Sequence, residues 1–388
     1  MRKKICVLTG ARSEYGLLKP LLEELDNSSY FDLELVVTGS HLSHKHGFTV
    51  KEILNDGFNI SHKIKILSKD DSRHATNKAI SKSIVGFSEI LINSKPDLLI
   101  VLGDRFEALG GAVSAMIHNV PIAHIHGGEA TEGLIDEAIR HSLTKMSYLH
   151  FVATEKYRSR VIQLGEDPRR VFNVGGMALD SIKGIEYLDK AHLEDNLKFK
   201  FTNPSFLITY HPLTLDTHVD TSEIDELLKS LNSFPKASFI FTMPNADPGN
   251  EIIRNKIKKF VMNNKYSILV ESLGQQKFLS CLNFVDGIIG NSSSGLLEVP
   301  NFNIGTINIG NRQRGRERSR SVLDLEAKES AIVAAIKKVL SKDFKDSIKN
   351  QKNPYGKPGA SKKIVKILKK FFKENKEAVS LSKTFIDL

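Results

Sequence analysis

The chain has 388 residues, of which 40% are hydrophobic and 26% are charged, and its formal net charge is +10. This length favours two domains, and the composition is that of a globular protein. No apolar run reaches the roughly 20 residues of a membrane-spanning helix, and the apolar part of the N-terminus is too short for a signal peptide. Cys6 and Cys281 lie in apolar segments, which favours buried thiols. Together these features predict a cytoplasmic protein without a membrane partner.

The first half of the chain alternates apolar strands with helices. Strands are predicted over residues 5–9, 32–38, 98–102, 122–125, 149–153 and 171–174. Helices are predicted over residues 15–25, 77–92, 105–118 and 135–146. This alternation predicts right-handed βαβ units and a parallel sheet.

A second series of strands follows a charged break near residues 177–203. Its strands are predicted over residues 206–209, 238–241, 267–270, 287–289 and 305–309. The expected fold is therefore α/β, with two Rossmann-like, doubly wound domains that face each other across a cleft. We expect one domain over residues 1–178 and the other over residues 179–355.

The last predicted helix, residues 360–376, carries much of the clustered positive charge. Its lysines are interleaved with apolar residues at helical spacing, which favours a solvated, lysine-rich face over a polyanion-binding patch. We expect this helix to pack back on the first domain, and we expect no nucleic-acid partner. The excess charge also suits a small anionic substrate.

Polar residues follow two neighbouring strands of the first half. Asp104 and Arg105 come directly after the strand at 98–102, and His126 and Glu129 follow the strand at 122–125. Asp136 lies at the start of the next helix. Because ligands of open α/β sheets bind beyond the carboxyl ends of the strands, these residues predict an active site.

The helix at 135–146 is predicted to be amphipathic. Its expected apolar face consists of Ile135, Ala138, Ile139 and Met146. A second face, which is either part of the site or a surface salt-bridge ladder, consists of Glu137, Arg140 and His141.

The carboxylates of this region suggest the type of reaction. Asp104, Glu129 and Asp136 supply enough of them for one general base and one general acid. The chain contains no nucleophile elbow and no cysteine–histidine motif. The pattern therefore favours elimination or proton transfer over covalent catalysis.

Two loops are candidates for phosphate binding. The first, with Gly10 and Arg12, opens the first helix but lacks the glycine spacing of a dinucleotide or P-loop motif. The second, residues 290–295, reads Gly-Asn-Ser-Ser-Ser-Gly and combines hydroxyls with the amides of a helix start. Glu298 could accept the hydroxyls of a ribose, and the four arginines within residues 312–318 favour anion binding.

Histidines provide two further candidates. His211 ends the first strand of the second domain. His41, His44 and His46 resemble a metal cluster, but their spacing matches no zinc pattern and no cysteine joins them. We expect one working histidine there, His41, and no metal.

As a set, these motifs resemble the hydrolysing UDP-N-acetylglucosamine 2-epimerases of bacterial sialic-acid synthesis. The motifs, which occur in order between residue 5 and about residue 325, are Thr-Gly-Ala-Arg-Ser-Glu-Tyr-Gly, Val-Thr-Gly-Ser-His-Leu, Leu-Gly-Asp-Arg-Phe-Glu-Ala, His-Ile-His-Gly-Gly-Glu, Ile-Asp-Glu-Ala-Ile-Arg-His and Gly-Asn-Ser-Ser-Ser-Gly. The resemblance implies a glycosyltransferase-B-like pair of domains and a homodimer or homotetramer. It also implies elimination of UDP to a 2-acetamidoglucal and hydration to N-acetylmannosamine, without a cofactor.

The resemblance also assigns roles to individual residues. The UDP-binding set that it implies is Arg12, Arg105, His211, Asn245, Leu273, Ser292, Ser293, Gly295, Glu298 and Arg312. The catalytic set that it implies is His41, Asp104, His126, Glu129, Asp136 and His211.

The chain departs from relatives of this family at two positions. Some relatives carry a catalytic glutamate where this chain has His126, so that either His126 takes that role or Glu129 supplies the carboxylate. The non-hydrolysing branch carries a lysine where this chain has Leu17, which favours the hydrolysing branch.

Three alternative functions stay open at this point. Epimerases of the legionaminic-acid route carry out the same chemistry on UDP-2,4-diacetamido-2,4,6-trideoxyglucose and share these motifs. A retaining glycosyltransferase would have the same architecture but would need no base at C2. A UDP-sugar-binding or polyanion-binding protein without turnover is disfavoured by the carboxylates at the strand ends.

Overall fold

The computed structural model of the protein describes residues 2–68, 70, 72–131, 135–211, 221–243, 250–375 and 381–387. The chain divides into two units. Unit 1 comprises Met1–Glu129, Ile135–Lys183 and Tyr355–Leu388, and unit 2 comprises Ala130–Leu134 and Gly184–Pro354. The domain limits given above, 1–178 and 179–355, stay a prediction.

Unit 1 is built on a seven-stranded parallel sheet. Its strands are β1 (Lys3–Thr9), β2 (Phe31–Thr38), β3 (His62–Ile64), β4 (Leu98–Leu102), β5 (Ile122–Ile125), β6 (Leu149–Val152) and β7 (Val171–Asn173). Its first helices are α1 (Arg12–Asp26), α2 (Val50–Asn55), α3 (Arg73–Ser94), α4 (Phe106–Ile117), α5 (Ile135–Met146), α6 (Glu155–Gln163) and α7 (Ala178–Lys183). The strand order is β3-β2-β1-β4-β5-β6-β7, so the chain reverses its direction of growth between β1 and β4.

The central strands of unit 1 are buried on both faces. Alternate residues of β1 point to opposite sides, so that Ile5 and Val7 pack in one apolar cluster and Cys6 and Leu8 in another. Every residue of β4 is buried. This explains why the strands appear in the sequence as continuous apolar runs.

Unit 2 repeats the arrangement with six parallel strands. They are β8 (Ser205–Thr209), β9 (Ser238–Thr242), β10 (Ser267–Val270), β11 (Gly287–Gly290), β12 (Gly305–Ile309) and β13 (Val322–Leu325). The helices are α8 (Lys190–Leu197), α9 (Ser222–Leu231), α10 (Asn250–Met262), α11 (Gly274–Cys281), α12 (Ser294–Leu297), α13 (Glu329–Leu340) and α14 (Lys342–Ile348). The strand order is β10-β9-β8-β11-β12-β13.

The final helix, α15 (Ala360–Glu374), belongs to unit 1. Its apolar face, which includes Ile364 and Leu368, packs in the same cluster as Leu18 of α1. The carboxylate of Asp180 accepts the backbone N–H groups of the first turn, including that of Ser361 at 2.7 Å, and stabilises the positive end of the helix dipole. The clustered lysines thus belong to a helix whose apolar face packs in the core of unit 1.

The predicted fold class is confirmed, since both units are doubly wound parallel α/β sheets. The sequence analysis missed two of the four edge strands, β3 and β13. Each is short, and β3 reads His-Lys-Ile, which gives no apolar run. Among the described residues, no helix has both the length and the apolar character that crossing a membrane requires.

Candidate functional site

The loops after β1, β2, β4 and β5 meet at one edge of the unit 1 sheet, because parallel strands share the edge at which they end. Two tight positions shape this edge. Gly103 follows β4 with a φ of 74°, and His126 follows β5 with a φ of 66°. A left-handed backbone is unusual for histidine and indicates that the surrounding contacts impose this conformation.

Arg140 is the central cation of this edge. It is only 1% exposed, although it lies on helix α5. Its Nε donates to Asp104 Oδ2 at 2.9 Å, and its Nη2 also donates to that oxygen. Its Nη1 donates to the carbonyl of Glu129 at 3.0 Å and to Glu137 Oε2 at 2.8 Å. One guanidinium therefore ties together the loop after β4, the loop after β5 and the first turn of α5.

The charges around Arg140 explain how it tolerates burial. Burial lowers the pKa of its guanidinium, but the charges of Asp104, Glu129 and Glu137 outweigh that effect and hold the pKa above its ordinary value. Arg140 is therefore a permanent buried cation, compensated by carboxylates and one carbonyl.

The amphipathic pattern predicted for α5 is wrong in part. Ile135 and Ala138, which were expected on the apolar face, are exposed. Arg140 packs inward with Leu143 and Thr144, so it does not belong to a surface salt-bridge ladder. The reason is a contact between distant parts of the chain: the charge of Asp104 compensates Arg140. The spacing of apolar residues cannot predict such an ion pair.

His126 and Glu129 form a buried pair after β5. Nδ1 of His126 lies 3.2 Å from Glu129 Oε1, and both side chains are nearly inaccessible. The backbone N–H of Met177 donates to His126 Nε2 at 3.3 Å. Because an amide N–H can only donate, Nε2 accepts here, and a neutral His126 therefore carries its proton on Nδ1.

His124 supports the same edge and was not assigned a role from the sequence. It is fully buried, and its Nε2 donates to the carbonyl of Gly103 at 2.7 Å. Burial lowers the pKa of this imidazole to about 3, so it is neutral at physiological pH. The side chain thereby fixes the loop that carries Asp104. Its position one residue before the end of an apolar strand is the only sequence signal for it.

Arg105 and Asp136 complete the unit 1 candidates. Arg105 precedes α4, and its Nε donates to the buried carboxylate of Glu107 at 2.6 Å. Asp136 lies in the first turn of α5 and is partly exposed. Asp104 is also partly exposed, with 20% of its side chain accessible. Asp104 and Asp136 are thus accessible carboxylates, whereas Glu129 is buried.

Arg12 and His41 lie at the neighbouring strand ends. Arg12 begins α1, and its Nε donates to Glu52 Oε2 at 3.0 Å. His41 is fully buried, and its two ring nitrogens bond to the hydroxyls of Thr9 at 3.0 Å and Thr49 at 2.8 Å. Burial lowers the pKa of His41 to about 4, so the ring is neutral at physiological pH.

The other two histidines of this segment have separate contacts. His44 stacks on Phe48 with a centroid distance of 4.2 Å, and His46 bonds to the hydroxyl of Ser43 at 2.9 Å. Within the described ranges, no group of three His, Cys, Asp or Glu side chains is arranged to hold a metal ion.

In unit 2, hydrogen bonds of Asn291 join a residue after β8 to the loop after β12. Its side-chain oxygen accepts the backbone N–H of His211 at 2.7 Å, and its side-chain nitrogen donates to the carbonyl of His211 at 2.8 Å. Its own carbonyl accepts hydrogen bonds from Arg312 at 3.2 Å and Gln313 at 2.8 Å. Asn291 belongs to the serine-rich motif, but the sequence analysis assigned it no role.

The turn before Asn291 requires glycine. Gly290 has a φ of 136°, and a Cβ atom there would lie 1.9 Å from the carbonyl oxygen of Thr209. Beside this turn, burial and the charge of Arg312 hold the pKa of His211 well below its ordinary value. His211 is therefore a neutral imidazole at physiological pH.

Four of the remaining unit 2 candidates lie in or after this turn, and Leu273 follows strand β10. Ser292 and Ser293 are partly exposed, Gly295 is buried against Thr306, and Glu298 follows the four-residue helix α12. Leu273 is buried and precedes α11. Asn245 lies outside the described residues.

The chain is similar to known proteins over nearly its whole length. Residues 23–369 match the profile of a family described as UDP-N-acetylglucosamine 2-epimerase. The chain is 41% identical over 388 residues, the whole of both chains, to the GDP/UDP-N,N'-diacetylbacillosamine 2-epimerase (hydrolyzing) of Campylobacter jejuni. It is 40% identical to polysialic acid biosynthesis protein P7 of Escherichia coli, over 97% of this chain and 96% of that protein.

A solved structure shares the fold. The UDP-GlcNAc 2-epimerase of Neisseria meningitidis bound to UDP-GlcNAc superposes with a TM-score of 0.80 at 19% sequence identity. The superposition covers 95% of this chain and 100% of that one.

We predict that Arg140→Leu destabilises unit 1 strongly. The substitution removes the cation that compensates Asp104 and Glu137, and the loss should be about 3 kcal/mol of unfolding free energy. Urea denaturation followed by circular dichroism measures it. Arg169→Leu is the matched control, because Arg169 is an exposed arginine paired with Asp167 and should change stability little. Equal stability losses in the two variants would contradict the central position given to Arg140.

Proposed function

The chain belongs to the UDP-N-acetylglucosamine 2-epimerase family, and from this premise we propose that it is a hydrolysing epimerase. It converts UDP-N-acetylglucosamine and water into N-acetylmannosamine and UDP. The observation that carries this proposal is the carboxylate cluster around Arg140, in which an accessible Asp104 lies beside a buried cation. The 41% identity, over the full length, to a relative named as hydrolysing supports the choice of the hydrolysing branch.

The reaction has two stages. In the first, a base takes the proton from C2 of the sugar while the C1–O bond to UDP breaks, which gives a 2-acetamidoglucal and UDP. In the second, water adds across the double bond: its oxygen bonds to C1 and gives a proton to a base, while an acid delivers a proton to C2 on the face opposite to the one that lost it. The net change is hydrolysis with inverted configuration at C2.

Asp104 is the proposed base of the first stage. Both bonds from Arg140 reach Oδ2 of Asp104, so that Oδ1 is the oxygen left to take a proton. Asp136, the second accessible carboxylate, is the proposed partner for the proton transfers of hydration.

His126 and Glu129 have a shared role in this proposal. Because Met177 binds Nε2 of His126, a neutral ring carries its proton on Nδ1, the nitrogen that lies 3.2 Å from Glu129 Oε1. The pair orients the loop after β5 and supplies a proton relay next to the glycal. His41 and His211, both neutral at physiological pH, are proposed as fixed hydrogen-bonding groups at the strand ends.

UDP is proposed to bind mainly through unit 2. Ser292 and Ser293 offer hydroxyls for the diphosphate, Arg312 offers a guanidinium, and Glu298 accepts the ribose hydroxyls. The neighbouring positions in this proposal are Asn245, Leu273 and Gly295. By the family resemblance, Arg12 and Arg105 are also proposed to supply positive charge for the phosphates.

A second substrate is favoured by one specific observation. The relative with 41% identity over the full length carries the name of a diacetylbacillosamine 2-epimerase. The same chemistry on UDP-2,4-diacetamido-2,4,6-trideoxyglucose is therefore the alternative. Parallel assays of the two sugars decide between them, because a pocket built for a C4 acetamido group leaves polar groups unpaired with a C4 hydroxyl.

We predict that Asp104→Asn abolishes turnover but retains UDP binding. The amide cannot take the C2 proton, whereas the proposed UDP contacts lie elsewhere. UDP release measures turnover, and calorimetry measures binding. Asp26→Asn, an exposed change at the end of α1, is the control. Wild-type turnover in Asp104→Asn would remove Asp104 from the mechanism.

Arg312→Ala should weaken UDP binding about tenfold or more, because a charge-assisted hydrogen bond to the diphosphate is lost. Titration calorimetry with UDP measures the effect, and Arg320→Ala, at an exposed arginine of unit 2, serves as the control. An unaltered dissociation constant in Arg312→Ala would contradict the proposed contact of Arg312 with UDP.

We also propose that the enzyme works in the cytoplasm as a homodimer or homotetramer. Both cysteines are buried and unpaired, which suits a reducing compartment. Helices α3 and α4 of unit 1 pack together and expose Val85, Ile92, Met116 and Ile117.

Self-association through this surface predicts that Val85→Asp combined with Ile117→Asp lowers the molar mass measured by light scattering. Met262→Asp, at an exposed apolar position of unit 2, should leave the mass unchanged. A wild-type protein with the mass of one chain would contradict the proposed oligomer.

A further inference from the structure

The loop after β5, residues 126–129, packs closely against helix α6. Gly128 has a φ of 76°, and a Cβ atom there would lie 2.4 Å from the carbonyl oxygen of Tyr157 and 2.9 Å from Val161 Cγ2. Only a glycine therefore lets the loop backbone approach the helix this closely. His126, two residues earlier, also has a left-handed backbone, which for a histidine must be imposed by its surroundings.

Arg160 of α6 forms a hydrogen bond to this loop. Its Nη1 donates to the carbonyl of Gly128 at 2.5 Å, and its guanidinium carbon lies 5.7 Å from the centroid of the Tyr157 ring. Within the part of the chain that the structure describes, no carboxylate forms an ion pair with Arg160. The guanidinium is therefore directed at the loop backbone, and a charged donor makes this bond stronger than one between neutral groups.

Helix α5 holds the same loop at the next peptide. Arg140 Nη1 donates to the carbonyl of Glu129 at 3.0 Å, so two consecutive peptide carbonyls each bind an arginine from a different helix. A Cβ atom on Gly127 would lie 3.1 Å from both His124 Nδ1 and Thr144 Oγ1, so the loop is closely packed here as well. The buried pair of side chains that this loop carries therefore depends on both helices.

We propose that Arg160 is a positioning residue, which holds the loop so that His126 and Glu129 stay aligned for proton transfer to the sugar. The proposal rests on the proposed function, in which this pair supplies a proton relay next to the glycal. Without the bond from Arg160, the Gly128 peptide can turn, and the approach of His126 Nδ1 to Glu129 Oε1, now 3.2 Å, is no longer enforced.

The two stages of the reaction should respond differently to the loss of this bond. Asp104, the proposed base of elimination, bonds to Arg140 of α5, whereas the pair in the loop serves hydration. Loss of the bond from Arg160 should therefore slow hydration more than elimination, so that free glycal leaves the enzyme beside UDP. A role in stability alone would not change the ratio of glycal to product.

Arg160→Met tests the proposal, because it keeps the length of the side chain and removes the donor. With whichever of the two candidate sugars the wild type converts, product release should fall about tenfold or more, since a misplacement of about 1 Å can cost a hundredfold in rate. Proton NMR should show a higher ratio of free glycal to product than in the wild type, through the vinyl proton of the glycal. The affinity for UDP, measured by calorimetry, should be unchanged, because the proposed UDP contacts lie elsewhere.

Arg158→Met is the matched control. Arg158 lies on the same helix and donates to the carbonyls of Val171 and Pro168, both at 3.0 Å, which are outside the loop after β5. This variant should keep the wild-type rate and the wild-type ratio of glycal to product. Arg160→Lys should recover most of the lost rate, because the loop accepts a single hydrogen bond from Arg160 and an ammonium group can donate one.

Several outcomes would overturn the proposal while the proposed function stands. These are a wild-type rate and glycal ratio in Arg160→Met, equal effects of Arg158→Met and Arg160→Met, or no recovery in Arg160→Lys. Arg160→Gln, a milder change, should raise the glycal ratio in the same way, and a wild-type ratio in it would overturn the proposal even if Arg160→Met does not fold. If the wild type converts neither sugar, the proposed function fails, and this proposal fails with it.

Discussion

The buried guanidinium of Arg140 is the contact on which the unit 1 site depends. It joins Asp104, the carbonyl of Glu129 and Glu137, which come from three successive segments of the chain. Burial of this permanent cation strengthens each of these bonds, but it also makes each partner necessary, because an unpaired buried charge is costly. The position of Asp104, the proposed base, is thus set by a side chain that does not itself react.

Unit 2 uses a neutral group for the same purpose. The Asn291 side chain clamps the backbone of His211 in both directions, and its carbonyl holds Arg312 and Gln313. An amide can both donate and accept, so it can join a strand end to an arginine-bearing loop without adding charge. This suits the proposed function, in which cations hold UDP and charged carboxylates transfer protons.

The sequence predicts those parts of the fold and of the site that depend on residues close together in the chain. The apolar strands, their helices and the polar residues after β4 and β5 could be predicted, because a parallel sheet gathers its strand ends at one edge. The burial of Arg140 and the pairing of His126 with Met177 could not. Each depends on residues far apart in the chain, and apolar periodicity places a charged residue outside even when another charge compensates it inside.

The measurement that tests the central claim most directly is proton NMR of the purified protein with UDP-N-acetylglucosamine in heavy water. Elimination followed by hydration removes the C2 proton and replaces it from solvent. The account predicts UDP and free N-acetylmannosamine that carries deuterium at C2. Release of N-acetylglucosamine that retains its C2 proton would show hydrolysis without elimination and would contradict the proposed role of the carboxylates.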